Sequence, residues 1–257
     1  MANQFRNKWL IAVLFLVVFT SSAFSAEAPP EHFQNPPENI NPDPNFVPGS
    51  YPIPDTYAAR SAYELKRSEL VGSALNGEAE RIYSIGNGEI QFSSVKNETA
   101  NVIGSFRNFS AVGMIGEEGP KQLDLIVDLN SIDTGVPGRD RRIQSLFFQS
   151  IKPELGTVSV IFDRINLGGL LRSALEDGTT HQILAQGTLL LNGVSQMVSA
   201  SLNVTKKSGT WTVETISPVS VLISDFSLGE RAYELMKACN HKSIGNAVSV
   251  TVKLYLR

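Results

Sequence analysis

Cysteine is almost missing from this chain. Cys239 is the only one in 257 residues, so no internal disulfide can form and stability must come from a sizeable buried core. Histidine is scarce as well. His32, His181 and His241 are scattered, which leaves little material for a metal centre or an acid–base pair. There is no Cys-x-x-Cys or Cys-x-x-Cys-His run, no Gly-x-Ser-x-Gly elbow, no phosphate-binding glycine loop and no dinucleotide fingerprint. Excess positive charge is absent too. The formal net charge is −3, and loss of Arg6 and Lys8 with an N-terminal leader makes it more negative. Such a surface has no electrostatic drive toward nucleic acid. These absences predict a protein with no catalytic group, no metal ligands and no cofactor.

The N-terminus is organised differently from the rest. Arg6 and Lys8 precede an unbroken apolar run from Trp9 to Phe19, followed by small residues from Ser21 to Ala28. That run is too short for an ordinary membrane span. It reads as a secretory signal peptide over 1–28, with an uncleaved anchor as the competing reading. Export to the periplasm, or secretion, follows from it. Proline then crowds together: nine of the thirteen lie between Pro29 and Pro54. The segment 29–56 is therefore a linker, either a plain spacer or a docking arm for a cell-wall or membrane partner. Residues 57–87 form a mixed lead-in. Ala62, Leu65, Glu69 and Leu70 suit a short helix that Gly72 and Gly77 interrupt, so the stretch is left unassigned.

From Gly88 onward apolar residues recur with a period of two. Leu123, Leu125, Val127 and Leu129 alternate with Asp124 and Asp128. Val158, Val160 and Phe162 alternate with Ser159 and Asp163. Val248, Val250, Val252, Leu254 and Leu256 alternate with Ser249, Thr251 and Lys253. Eight strands are predicted, at 89–95, 101–115, 121–131, 157–166, 181–192, 195–205, 210–223 and 246–256. Asn192-Gly193 and Lys207-Ser208-Gly209 mark tight turns. Only two stretches have helical spacing within 88–257, at 139–148 and at 229–240, each with one apolar stripe. Eight antiparallel strands can close into a barrel and so remove both sheet edges; a two-sheet sandwich is the other closure.

The most distinctive stretch runs from Ile132 to Phe148. Gly135, Pro137 and Gly138 break the strand, Arg139-Asp140-Arg141-Arg142 forms a charged corner, and Ile143, Leu146 and Phe147 follow at helical spacing. Several other segments keep it company in order. They are Glu89–Asn97 with its Ile-Gln-Phe-Ser-Ser core, Ile103-Gly104-Ser105-Phe106 with Phe109, Gln186 to Val194, Ser224 to Gly229, and the valine-alternating last strand. In this order the segments resemble the YceI-like family over Gly88 to Leu256. Two details depart from it. Gln91, Phe92 and Ser93 stand where many members carry a histidine, and Lys152-Pro153-Glu154-Leu155 keeps only the proline of a Tyr-Pro pair. The resemblance implies an all-β, eight-stranded antiparallel lipocalin-like barrel with two short α-helices. It also implies an exported protein that binds a polyisoprenoid lipid, either an isoprenoid quinone or a polyprenyl phosphate.

The apolar faces supply candidate wall positions: Phe106, Leu125, Val127, Val158, Val160, Phe162, Val250, Val252 and Leu254. The same faces also suit an ordinary filled core, and the resemblance favours a ligand. Arg139, Arg141 and Arg142 open the corner helix, where Arg139 is the candidate head-group contact; a structural pairing with Asp140 is the alternative. Ile143, Leu146 and Phe147 are expected to point inward. Asp124 and Asp128 are expected on the solvated outer face, and Cys239 as a buried small hydrophobe. Asn97, Asn108 and Asn203 head glycosylation triplets that carry meaning only in a glycosylating host. The expected partners are a polyisoprenoid lipid, a membrane in transient contact and a second copy in a homodimer, with no nucleic acid. The rival functions are an enzyme acting on a periplasmic lipid and an interaction module with a filled core.

Overall fold

The computed structural model describes residues 32–34, 62–70, 80–85, 87–116, 119–167 and 177–257. The leader expected over 1–28 lies outside these residues, as does the proline-rich segment apart from 32–34. In chain order the elements are β1 (His32–Gln34), α1 (62–70), β2 (Glu80–Ile85), β3 (Gly88–Lys96), β4 (Ala100–Phe106), β5 (Phe109–Gly116) and β6 (Gly119–Asp128). After a 3₁₀ turn come β7 (Ile132–Asp133) and α2 (Pro137–Arg142), which continues as a π-helical turn over Ile143–Phe148. Then follow β8 (Thr157–Asn166), β9 (Thr180–Leu191), β10 (Val194–Lys207), β11 (Thr210–Thr215), β12 (Val219–Leu222), α3 (Gly229–Ala238) and β13 (Ser243–Leu256).

Every ladder is antiparallel, and the strands form one sheet in the order β2-β5-β6-β8-β9-β10-β11-β13-β3-β4-β7, with β1 and β12 also on β13. The sheet curls. β2 and β3 follow one another in the chain, yet β2 pairs with β5 while β3 pairs with both β4 and β13. Chain 80–96 is therefore where the two ends of the sheet meet. Short connections between successive strands dictate this up-and-down order. At the β9–β10 hairpin Asn192 and Gly193 take φ of 54° and 74°. Both values are positive, as a two-residue turn that follows the strand twist requires.

The concave face carries the core. Ile90, Leu125, Val127, Ile183, Ala185, Leu202, Val213 and Leu254 are all buried there. One end of the concavity is packed nearly solid around Trp211, Ile183, Ile115 and Leu256, leaving a void of about 30 Å³. The other end is roofed by α3 and the π-helical turn. Ala232 and Met236 of α3 are fully buried, and Ile223, Phe226 and Leu228 join Ala232 in a second apolar cluster.

Several expectations need correction. The lead-in, left unassigned from the sequence, forms a helix, α1, in addition to the two expected within 88–257. α1 covers part of the convex face: Tyr63 is buried and its hydroxyl is 3.0 Å from the Ser110 hydroxyl, and Lys66 Nζ donates to Thr157 Oγ1. The sheet also starts earlier than the alternation suggested, with β2. The strand expected over 101–115 is broken at Arg107-Asn108, and that expected over 210–223 is broken between β11 and β12. Asp128 is not solvated but 3% exposed. Its carboxylate accepts from the Asn130 N–H at 2.9 Å and caps the 3₁₀ turn, so its polar character serves the backbone. Within the expected linker, β1 adds a short strand to β13, setting Phe33 opposite Ile244.

Candidate ligand cavity

Between the packed end and the helical roof lies a cavity of about 270 Å³. Its wall follows the period of two strand by strand. β6 contributes Leu123, Leu125 and Val127; β8 contributes Val158, Val160 and Phe162; β13 contributes Val248, Val250, Val252 and Leu254. β4 contributes Val102 and Phe106, and the roof contributes Ile143, Phe147, Phe148, Phe226 and Leu235. Every wall position named from the sequence therefore faces one space, and Arg139 borders it too. Many of these side chains are only half-buried, because their inner surfaces meet the cavity rather than other atoms.

An aromatic row lines one side. The rings of Phe92 and Phe106 are 5.5 Å apart, those of Phe106 and Phe148 6.4 Å, and those of Phe147 and Phe148 5.0 Å. Offset and edge contacts of this kind suit aromatic quadrupoles. Gly104, on the cavity-facing side of β4, makes room for the row; a Cβ there would stand 2.5 Å from Phe92 Cζ.

The corner helix turns differently from the expectation. Ile143, Phe147 and Phe148 face the cavity, and Leu146 does not. The cause is the π-helical turn over Ile143–Phe148, whose i to i+5 pattern rotates successive side chains less than an α-helix does. The turn is anchored through Asn130. Gln144 Nε2 donates to Asn130 O at 2.8 Å, and the buried Ser150 hydroxyl donates to Asn130 Oδ1 at 2.6 Å.

Polar groups gather at one end of the cavity. Lys96 ends β3, His241 lies between α3 and β13, and Arg139 sits on α2; all three line the space. Hydrogen bonds between their chain neighbours hold the first two together: Lys242 N–H donates to Asn97 Oδ1 at 2.8 Å, and Asn97 N–H donates to Ser243 O at 2.9 Å. Arg139 is oriented by Thr134. Its Nε donates to Thr134 Oγ1 and its Nη2 to Thr134 O, both at 2.8 Å. Asp140 takes the Thr134 N–H at 3.0 Å and its hydroxyl as well, so it holds the corner through Thr134 rather than through a direct ion pair with Arg139. Burial holds the His241 imidazole below its ordinary pKa, and the positive charges of Lys96, Arg142 and Arg139 push the same way. Among the described residues the lining contains no carboxylate, and no group of three His, Cys, Asp and Glu side chains is placed to hold a metal.

Sequence reasoning missed Lys96 and His241. Lys96 was accessible, because it continues the inward parity of Ile90, Phe92 and Ser94. His241 follows the helix and reaches the cavity only through the docking of α3. Cys239 also lines the cavity and is half-buried rather than sealed in a core. His181 is elsewhere, with its Nε2 2.9 Å from the Thr179 hydroxyl.

The sequence pattern of the YceI-like domain matches residues 83–256. The chain belongs to the YceI-like family. Solved structures share the fold. The fold is similar to a polyisoprenoid binding domain from Saccharophagus degradans implicated in plant cell wall breakdown, with a TM-score of 0.60 at 23% identity over 70% of this chain and 99% of that one. It is also similar to BcnA of Burkholderia cenocepacia, with a TM-score of 0.51 at 16% identity over 65% of this chain and 95% of that one. Among curated proteins none matches significantly. The YceI-like region thus includes β3 through β13, the corner helix and every cavity-lining residue.

Proposed function

We propose that this YceI-like protein is an exported binding protein that sequesters or carries a polyisoprenoid lipid in its apolar cavity. The observation that carries this reading is the wall itself: hydrocarbon from β3 through β13 encloses a space that side chains leave unfilled. Each CH₂ moved from water into such a space contributes about 0.8 kcal/mol. A prenyl tail of several units therefore offers a gross drive on the order of tens of kcal/mol, from which the costs of ordering and association are subtracted. A wall with unpaired polar groups would forfeit much of that drive. The name of the Saccharophagus degradans neighbour, a polyisoprenoid binding domain, supports the ligand class.

In the finer reading, the ring of ladders is an eight-stranded lipocalin-like barrel: β2 with β3, β4 with β5, and β11 with β12 each count as one bent strand. The leader over 1–28 sends the protein to the periplasm, where it moves lipid between membranes or stores it. The protein acts by binding rather than catalysis, since no carboxylate stands among the described residues that line the cavity. Native mass spectrometry of protein purified gently from its own host tests the proposal. The expected result is a retained mass that lipid extraction identifies as a prenyl compound. A clean apo mass would overturn it.

A further inference from the structure

We propose that the polar end of the cavity is an anionic head-group subsite, built for a prenyl monophosphate or diphosphate, in which Lys96 and Arg139 are the cationic contacts and Arg142 adds its charge from outside the lining. The inference rests on the lipid-binding reading above and specifies the class of lipid. Three groups line it from three segments, Lys96 at the end of β3, Arg139 on α2 and His241 in the loop before β13, and Arg142 follows on α2. Lys96 Nζ has no hydrogen-bond or carboxylate partner among the described residues. Arg142 Nε is buried with no hydrogen-bond partner among them. Arg139 spends Nε and Nη2 on Thr134, which fixes the plane of its guanidinium and leaves Nη1 without a partner among the described residues.

That the charges act on a common space is visible at His241. It borders the cavity, and Lys96, Arg142 and Arg139 all disfavour its protonation. The acid beside Arg139 in the sequence, Asp140, is engaged by the backbone and hydroxyl of Thr134. Gathering cations beside a hydrocarbon wall without a compensating carboxylate is unfavourable. A ligand carrying its own anion compensates them, and a phosphate offers acceptors suited to guanidinium and ammonium donors. A neutral quinone ring accepts hydrogen bonds but leaves the charges uncompensated. The apolar tail then follows the aromatic row from Phe148 past Phe106 to Phe92.

The test is a titration of the delipidated full chain with three probes that share one tail: geranylgeranyl phosphate, geranylgeraniol and a quinone bearing the same tail. The phosphate is expected to bind at least about tenfold more tightly than either neutral probe, as one or two charged hydrogen bonds imply. Lys96→Gln and Arg142→Gln are each expected to shrink that preference to about threefold or less while the Kd for geranylgeraniol stays unchanged. Lys96 ends a strand, so its variant keeps the test open should the Arg142 variant fold poorly. Raising the salt concentration is expected to narrow the preference as well. Equal binding of the three probes, or variants that weaken all three alike, would overturn the subsite and leave lipid binding standing. Binding of none of them would overturn both.

Discussion

The Phe92 ring occupies the space that a side chain at residue 104 would take: a Cβ built on Gly104 would stand 2.5 Å from Phe92 Cζ and 2.9 Å from Thr134 Cγ2. The glycine therefore links two features of the site, the aromatic row and the corner that orients Arg139. Gly104→Val is expected to push Phe92 toward the cavity. Overpacking of this kind costs about 1–3 kcal/mol. Native mass spectrometry should show loss of retained lipid in a variant whose far-UV circular dichroism is unchanged. Full lipid retention would mean that Phe92 has room to turn elsewhere.

Val160 faces the cavity from the middle of β8, between Leu125 on β6 and Leu189 on β9. Val160→Arg places a charge on the hydrocarbon wall, where no carboxylate among the described lining residues can pair with it. The sheet should still fold, because the space beside Val160 is open. Lipid retention should be abolished. Retention equal to that of the parent protein would show that the tail lies along another wall.

Acid should weaken the fold through His241. Its pKa in the folded protein is lowered from 6.5 by burial and then by Lys96, Arg142 and Arg139. The unfolded chain therefore binds the proton more readily. The stability due to the neutral imidazole is fully present above pH 6.5 and is lost as pH falls from there through the folded pKa. Urea midpoints measured across that window should drop toward acid in the parent and drop less in His241→Asn. An identical slope in the two would remove His241 as the source.

Helix α1 is held to the convex face by a buried tyrosine. Tyr63 is 4% exposed, and its hydroxyl meets that of Ser110, itself 1% exposed. Burial pushes the phenol pKa up, with the Ser110 hydrogen bond opposing. Tyr63→Phe removes one hydrogen bond and leaves a buried hydroxyl with one partner fewer, at a cost of about 1–2 kcal/mol. Tyr63→Ala removes the packing as well, at about 3–5 kcal/mol, the range for large aromatic truncations. Denaturant unfolding should rank the three proteins in that order. Equal midpoints would mean that α1 contributes nothing to the stability of the sheet.

Much of the site was legible because strand geometry is local. In a pleated strand, parity alone sends Leu125 and Val127, or Val250, Val252 and Leu254, to one side. The side rich in hydrocarbon is the inner one whenever the other meets water. Parity failed where tertiary contacts overrode it. Asp128 looked solvated by alternation, yet it is buried beside the cap it forms and on the face that α1 covers. Leu146 looked inward by α-helical spacing, yet a π-helical turn hands that place to Phe148. His241 carries no periodic signal at all, because it lies in a loop.

The sequence by itself determined the alternating faces, the turns such as Asn192-Gly193 and the ordered set of segments that marks the family. Each of these depends on residues close together in the chain, whose backbone preferences and side-chain parity are set without reference to distant partners. Only the tertiary structure decided that the concavity is packed solid around Trp211 at one end and left open at the other. Filling depends on how far opposite walls stand apart and on where α3 and the corner helix come to rest. The same docking brings Lys96, Arg139, Arg142 and His241 together, although more than a hundred residues separate the first from the last. Like charges of that kind meet only because the burial of the apolar faces around them outweighs their repulsion.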